Sequence, residues 1–173
     1  GPAPLFGRWA YGYWQCKERY KSFDELKEAV DGYRRRGLPL DNIVQDWRYW
    51  GERDQWNSME FDPQTYPDPE RHIRELHERN VHLMISIWPV FGPKTKIHQE
   101  MDSRGFLYPV VYAGLGGRTY DPFNPEARRL YWDYVKRGLF DKGVDAWWMD
   151  ATEPEVTSGI TQAEIEKNIL DCK

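Results

Sequence analysis

An aspartate closes one of the most apolar stretches of this sequence. Val144 to Asp150 reads Val-Asp-Ala-Trp-Trp-Met-Asp, and Ala151, Thr152, Glu153, Pro154 and Glu155 follow. An ionisable carboxyl group ending an apolar strand beside two indoles is costly unless it is hydrogen-bonded or chemically used. Two uses stay open on these residues alone, a carboxylate nucleophile or a strand-end cap for the next loop. Asp46 ends a second apolar run, begun at Asn42, and Trp88 ends a third, begun at Val81. Side chains alternate along a strand, so Trp148 and Asp150 share one face and Trp147 and Met149 the other. By the same parity Asp46 and Arg48 share a face with Val44, and Ser86 and Trp88 lie opposite Ile85 and Ile87. In a parallel barrel, chemistry gathers at the C-terminal ends of the strands, which is where Asp46, Trp88 and Asp150 fall.

Other reactive residue types carry less. His72, His77, His82 and His98 show neither zincin nor zinc-finger spacing, and His72 and His77, five apart on a charged helix, read as solvated surface. Gly114 to Gly117 reads as a turn, because no strand leads into it and no helix follows directly. Arg34 to Arg36 suit the negative end of a helix better than a nucleic-acid patch. Cys16 has no candidate histidine beside it and reads as a small core residue. With Cys172 it makes no disulfide framework.

The positioning elements follow from apolar runs alternating with capped helical patterns, the signature of βα units around a parallel sheet. Strands are predicted over Trp9 to Cys16, Asn42 to Arg48, Val81 to Trp88 and Val144 to Asp150. Ser22 and Glu25 form a capping box ahead of a helix whose face is Phe23, Leu26, Ala29, Val30 and Tyr33, with Gly37 at its C-terminus. Asp68-Pro69 starts a second helix that ends near Asn80, and Asn124-Pro125 starts the best-patterned one. The buried face of that one is Ala127, Leu130, Tyr131, Tyr134, Val135 and Leu139. Between 91 and 120 the pattern loosens to a short helix over Lys94 to Asp102 and a hairpin of Phe106 to Tyr112 with Arg118 to Tyr120. The connection from Gly51 to Tyr66 is long for a compact domain, which marks it as functional. Thr161 to Glu164 is a further capping box. Four such units make a small open sheet or half of an eight-fold barrel. No composition break divides residues 1–173, so a single domain is expected.

The bulk composition narrows the function classes. The 173 residues are 40% hydrophobic and 30% charged, with no run long enough to span a membrane and no signal-peptide pattern. A net charge of -4 leaves no cationic excess for phosphates, which argues against a nucleic-acid partner. Aromatics reach 16%, with 9 Trp and 11 Tyr. Sugar faces dock on such rings, although aromatics also fill cores. No Asn-x-Ser/Thr acceptor is present. The compartment stays open, with a periplasmic or secreted setting slightly favoured over a cytoplasmic one.

The segment Trp147 to Glu155 resembles the nucleophile signature of glycoside hydrolase family 31, the α-glucosidases, α-xylosidases and related transglycosylases. The order and spacing of further segments agree: Trp9 to Lys17, Leu38 to Leu40, Gln45 to Trp50, Phe61-Asp62 with Tyr66 to Pro69, Ile87 to Pro89, and Tyr120 to Pro125. The resemblance covers essentially the whole chain and implies the N-terminal half of a catalytic (β/α)8 barrel, about four βα units with parallel strands. It implies that Asp150 is the nucleophile, that Trp148 walls the subsite of the scissile sugar, and that Asp46 serves that sugar's hydroxyl contacts. It places Trp88 at a strand end that varies with specificity, and Trp47 and Arg48 where substrate choice is made. The α-glucosidases commonly carry Asp-x-Asp where this chain has Asp46-Trp47-Arg48, so the α-xylosidases look closer.

A retaining enzyme needs a second carboxyl roughly 5–5.5 Å from the first as acid/base. In the family that residue lies on a later strand, outside this chain, and Glu153 and Glu155 are read as supporting the nucleophile loop. The implied activity is hydrolysis of terminal α-xylosyl or α-glucosyl residues of oligosaccharides through a covalent glycosyl-Asp intermediate, with transfer to another sugar open. No metal or organic cofactor is implied, and this segment by itself is expected to be inactive. Two other readings stand beside it, a non-catalytic sugar-binding module and a self-associating half barrel. Exposed barrel edges predict a homo-oligomer of the segment.

Overall fold

The computed structural model describes residues 1–112, 115–152, 163 and 166–167. A four-stranded parallel sheet is its frame: β1 (Trp14–Gln15), β2 (Asn42–Gln45), β3 (His82–Ile87) and, after an excursion, β7 (Ala146–Met149). The spatial order β1-β2-β3-β7 follows the chain without reversal. Right-handed crossovers that all step the same way leave every helix on one face, which is how a barrel winds and not how a doubly wound sheet does. The sheet and its helices therefore match four of the eight units of a (β/α)8 barrel.

The predicted strands are present but shorter. Residues Arg8–Tyr11 form a 3-10 turn, and only Trp14–Gln15 pair with β2. The second strand stops at Gln45, because Arg48 takes a left-handed backbone with φ 67°. Alternation ends with the strand, so parity does not carry as far as Arg48.

The helices start as their caps dictate, with one exception. At α1 (Phe23–Arg35) Ser22 Oγ accepts the Glu25 amide at 3.2 Å, and the Glu25 carboxylate reaches back to the Lys21 amide at 2.6 Å. At α4 (Pro125–Gly138) Asn124 Oδ1 accepts the amides of Glu126 and Ala127. At α3 (Lys96–Ser103) Thr95 caps through the His98 amide. At α2 (Pro69–Glu78) Asp68 departs from the expected cap. Its φ is 46°, and its carboxylate turns outward to Arg71 Nε at 2.8 Å.

Core residues lie between sheet and helices. Ile43, Leu83, Ile85 and Ile87 from the strands meet Leu26, Val30, Ile73, Leu76, Val135 and Leu139 from the helical layer. The 51–66 connection is packed into this core through Trp56, Met59 and Tyr66. The excursion after β3 is a second, antiparallel sheet of β4 (Val90–Phe91), β6 (Arg118–Tyr120) and β5 (Leu107–Val111). It contains the predicted hairpin, with a register irregularity between Leu107 and Val111. The expected capping box at Thr161 to Glu164 lies outside the described residues, as does Cys172.

Candidate active site

Asp150 follows β7 directly, and its amide donates to the Ile87 carbonyl at 2.9 Å, extending the β3–β7 ladder by one bond. Its Oδ1 accepts the amide of Ala151, at 2.8 Å, where the chain turns through φ 49°. Asp46 repeats this geometry one strand away from β3. It follows β2, and its Oδ1 accepts the Trp47 amide at 2.8 Å just before the left-handed Arg48. Both carboxylates are thus held at a sharp turn off the C-terminal end of a parallel strand.

The Asp46 carboxylate feels the charge of Asp150. Burial pushes the Asp46 carboxyl above its ordinary value, the Trp47 amide partly opposes this, and the charges of Asp150 and Glu18 push it further up. Cys16, just after β1, stands in the same field. Partial burial and the Asp46 charge raise its thiol. It is exposed at the rim and not in the core, because β1 ends one residue earlier.

Trp148 and Trp147 separate as parity requires. Trp147 packs against the core and meets Trp132 edge-on, while Trp148 is 42% exposed on the face it shares with Asp150.

Trp88 is locked by Asn57. The Trp88 amide donates to Asn57 Oδ1 at 3.1 Å, and Asn57 Nδ2 donates to the carbonyls of Trp88 and Val90. The Tyr131 hydroxyl adds a bond to the Trp88 carbonyl at 3.2 Å. The Trp88 ring meets Trp56 edge-to-face at 5.0 Å, and Trp56 lies 5.5 Å from Trp47. The guanidinium groups of Arg48 and Arg19 approach the Trp47 ring to 4.8 and 5.3 Å, as cation–π partners. Trp47, Arg48, Trp56 and Trp88 line a hollow of about 260 Å³ with Arg53 and Tyr112. Asp46, Trp148 and Asp150 do not line it.

Of the residues singled out in the sequence, the structure thus groups Asp46 with Asp150, and Trp47 and Arg48 with Trp88. Glu153 and Glu155 lie outside the described residues. Trp56, Asn57, Arg53 and Arg19 were not singled out. The length of the 51–66 connection was the one signal that pointed to the first three.

Two histidine expectations are corrected. His72 is 5% exposed, stacked on Phe23 at 4.7 Å and 2.9 Å from Lys27 Nζ. It faces α1, and burial followed by the Lys27 and Arg71 charges pulls its ring below the ordinary histidine value. His77 is no isolated surface residue either, for it meets His82 and Asp145.

A family model, the glycosyl hydrolases family 31 TIM-barrel domain, matches residues 3–171. The chain belongs to glycosyl hydrolase family 31. Among curated family 31 relatives, an alpha-xylosidase of Saccharolobus solfataricus is 48% identical over 92% of this chain and 21% of its own. A family 31 glucosidase of Pseudescherichia vulneris is 34% identical over 90% of this chain and 30% of its own. Among solved structures, a family 31 alpha-xylosidase from Xanthomonas citri superposes with a TM-score of 0.84 at 44% identity, covering 95% of this chain and 19% of that one. A second, from a soil metagenome and complexed with xylose, superposes at 0.82 with 37% identity, covering 90% and 24%. The chain spans roughly a fifth to a third of the length of these family 31 relatives.

Proposed function

We propose that these residues form the nucleophile-bearing part of a retaining α-glycosidase that removes terminal α-xylosyl groups, with α-glucosyl groups as the alternative substrate. The observation that carries this is Asp150, held at the C-terminal end of the fourth parallel strand, with Asp46 in its field and the Trp148 indole on its face. Asp150 Oδ2 accepts no hydrogen bond from the described residues and is available to attack an anomeric carbon. As the glycosyl–Asp150 bond forms, the bond to the leaving oxygen breaks, and that oxygen takes a proton from a second carboxyl group. Water, deprotonated by the same group, then cleaves the ester. We place that second carboxyl in the part of the family 31 protein beyond these residues. Trp47 and Arg48, locked together by their stacking, favour a pentose by filling the space of a hydroxymethyl group. The alpha-xylosidase relatives support this choice.

The test is hydrolysis of aryl α-xyloside and aryl α-glucoside by the protein at its full natural length. Xyloside turnover that falls by about a thousandfold or more in Asp150→Asn is expected, as for loss of a covalent nucleophile. Unchanged turnover in that variant would remove Asp150 from the chemistry. Self-association of the 173-residue segment has one observation in its favour, the edge of β7, which among the described residues pairs only with β3.

A further inference from the structure

Three ligand-type side chains meet at the opposite end of the parallel sheet from Asp46 and Asp150. His77 comes from the last turn of α2, His82 is the first residue of β3, and Asp145 immediately precedes β7. His77 Nε2 lies 2.8 Å from Asp145 Oδ2, and His82 Nδ1 lies 3.0 Å from Asp145 Oδ1. One donor atom from each residue falls within 4.8 Å of the others. The six residues of β3 place this cluster roughly 20 Å from Trp88 at the other rim. It therefore takes no part in the proposed glycoside chemistry and stands independently of it.

We propose that His77, His82 and Asp145 bind one divalent transition-metal ion of the zinc class. Two imidazole nitrogens with one carboxylate oxygen match zinc, nickel or cobalt, whereas magnesium and calcium select oxygen ligands and copper(I) selects thiolates. Zinc bonds of about 2.0–2.2 Å in a tetrahedron set ligand atoms about 3.3 Å apart. The 2.8 and 3.0 Å separations, each to a different Asp145 oxygen, would lengthen toward that value, and the two imidazole nitrogens, within 4.8 Å of each other, would close on it by side-chain rotation. Outer support is built in. The Leu83 amide donates to Asp145 Oδ2 at 2.9 Å, and the Trp9 ring stacks on His82 at 4.3 Å and 20°. The side chains of His77, His82 and Asp145 are 36%, 31% and 18% exposed, which leaves a path in and a coordination position for water. The ion ties the end of α2 to the starts of β3 and β7. The N-terminal face of a barrel is the stability face, and an ion bound only by the folded state stabilises it by mass action.

The experiment uses the protein at its full natural length, stripped with a chelator and titrated with Zn²⁺ against a chromophoric competitor. Melting temperature is followed with Zn²⁺ and with Mg²⁺. His77→Gln is the deciding variant, because its amide still donates to Asp145 and a partly exposed helix end tolerates the change, whereas Asp145→Ala also strips the Leu83 amide of its acceptor. One Zn²⁺ per chain is expected, bound about tenfold or more weakly by His77→Gln. Melting is expected to rise by several degrees with Zn²⁺ but not with Mg²⁺, and Co²⁺ to give visible d–d bands that the variant loses. Equal Zn²⁺ affinity and equal melting shifts in the two proteins would overturn the proposal, leaving the cluster as a set of hydrogen bonds between two imidazoles and a carboxylate.

Discussion

Asp46 and Asp150 hang from turns of the same design on either side of β3, and burial is the chief cause that raises the Asp46 carboxyl above its ordinary value. A carboxyl whose folded-state pKa is raised binds a proton more readily in the folded chain than in the unfolded one. Stability therefore falls as pH climbs from the ordinary aspartate value through the raised one, and the cost is fully present at neutral pH. Asp46→Asn keeps an oxygen for the Trp47 amide and removes that cost. It should melt higher than the parent at pH 7, and the difference should vanish in acid, below the ordinary range. A gap that persists in acid would assign the effect to something other than ionisation. The same variant should lose glycosidase activity, since Asp46 shares the site with Asp150. Cys16 and His72 exchanged their expected places, the thiol at the rim and the imidazole buried. Residue type alone does not say where a strand stops or which helix face meets a neighbour.

At the scale of elements, the rim depends on strands that stop abruptly and on helices that come close. Gly138 shows how close. A Cβ there would overlap the Met59 carbonyl oxygen, so the end of α4 rests directly on the 51–66 connection that holds Trp56 and Asn57. Gly138→Ala is expected to destabilise the fold by about 1–3 kcal/mol, the usual cost of overpacking. Because the displaced backbone lies two residues from Asn57, the clamp on Trp88 should loosen with it. Chemical denaturation reads the first effect, and Trp fluorescence, blue-shifted less than in the parent, reads the second. A midpoint unchanged from the parent would mean that the two segments separate without cost. The starts of α1 and α4 were legible because Ser22 and Asn124 satisfy amides within their own turn. The start of α2 at Pro69 was legible too, but the cap role of Asp68 was not, because Arg71 offers its carboxylate a charged partner in solvent.

On the scale of the molecule, the sheet is parallel and opens at β7, which among the described residues pairs only with β3. Met149 there is 56% exposed and Trp148 42%. Free edges flanked by apolar side chains recruit strands. The 173-residue segment expressed by itself should sediment as a dimer or larger, and Met149→Lys should shift it toward monomer. A compact monomer at micromolar concentration would argue that the edge is covered within the chain. In the full-length family 31 protein we place the next strand of the barrel on this edge.

Which segments become strands and which become helices, and their alternation, were determined locally, by apolar period and by caps that act within one turn. That is why Asp46, Trp88 and Asp150 could be named at strand ends, and why the motif around Asp150 pointed to family 31. Convergence is a different kind of property. Asn57 reaches Trp88 across 31 positions, and His77 and His82 reach Asp145 across 68 and 63. No local period encodes such distances. They arise only when a parallel sheet brings together the like ends of strands far apart in the chain, C-terminal ends at the candidate active site and N-terminal ends at the histidine cluster.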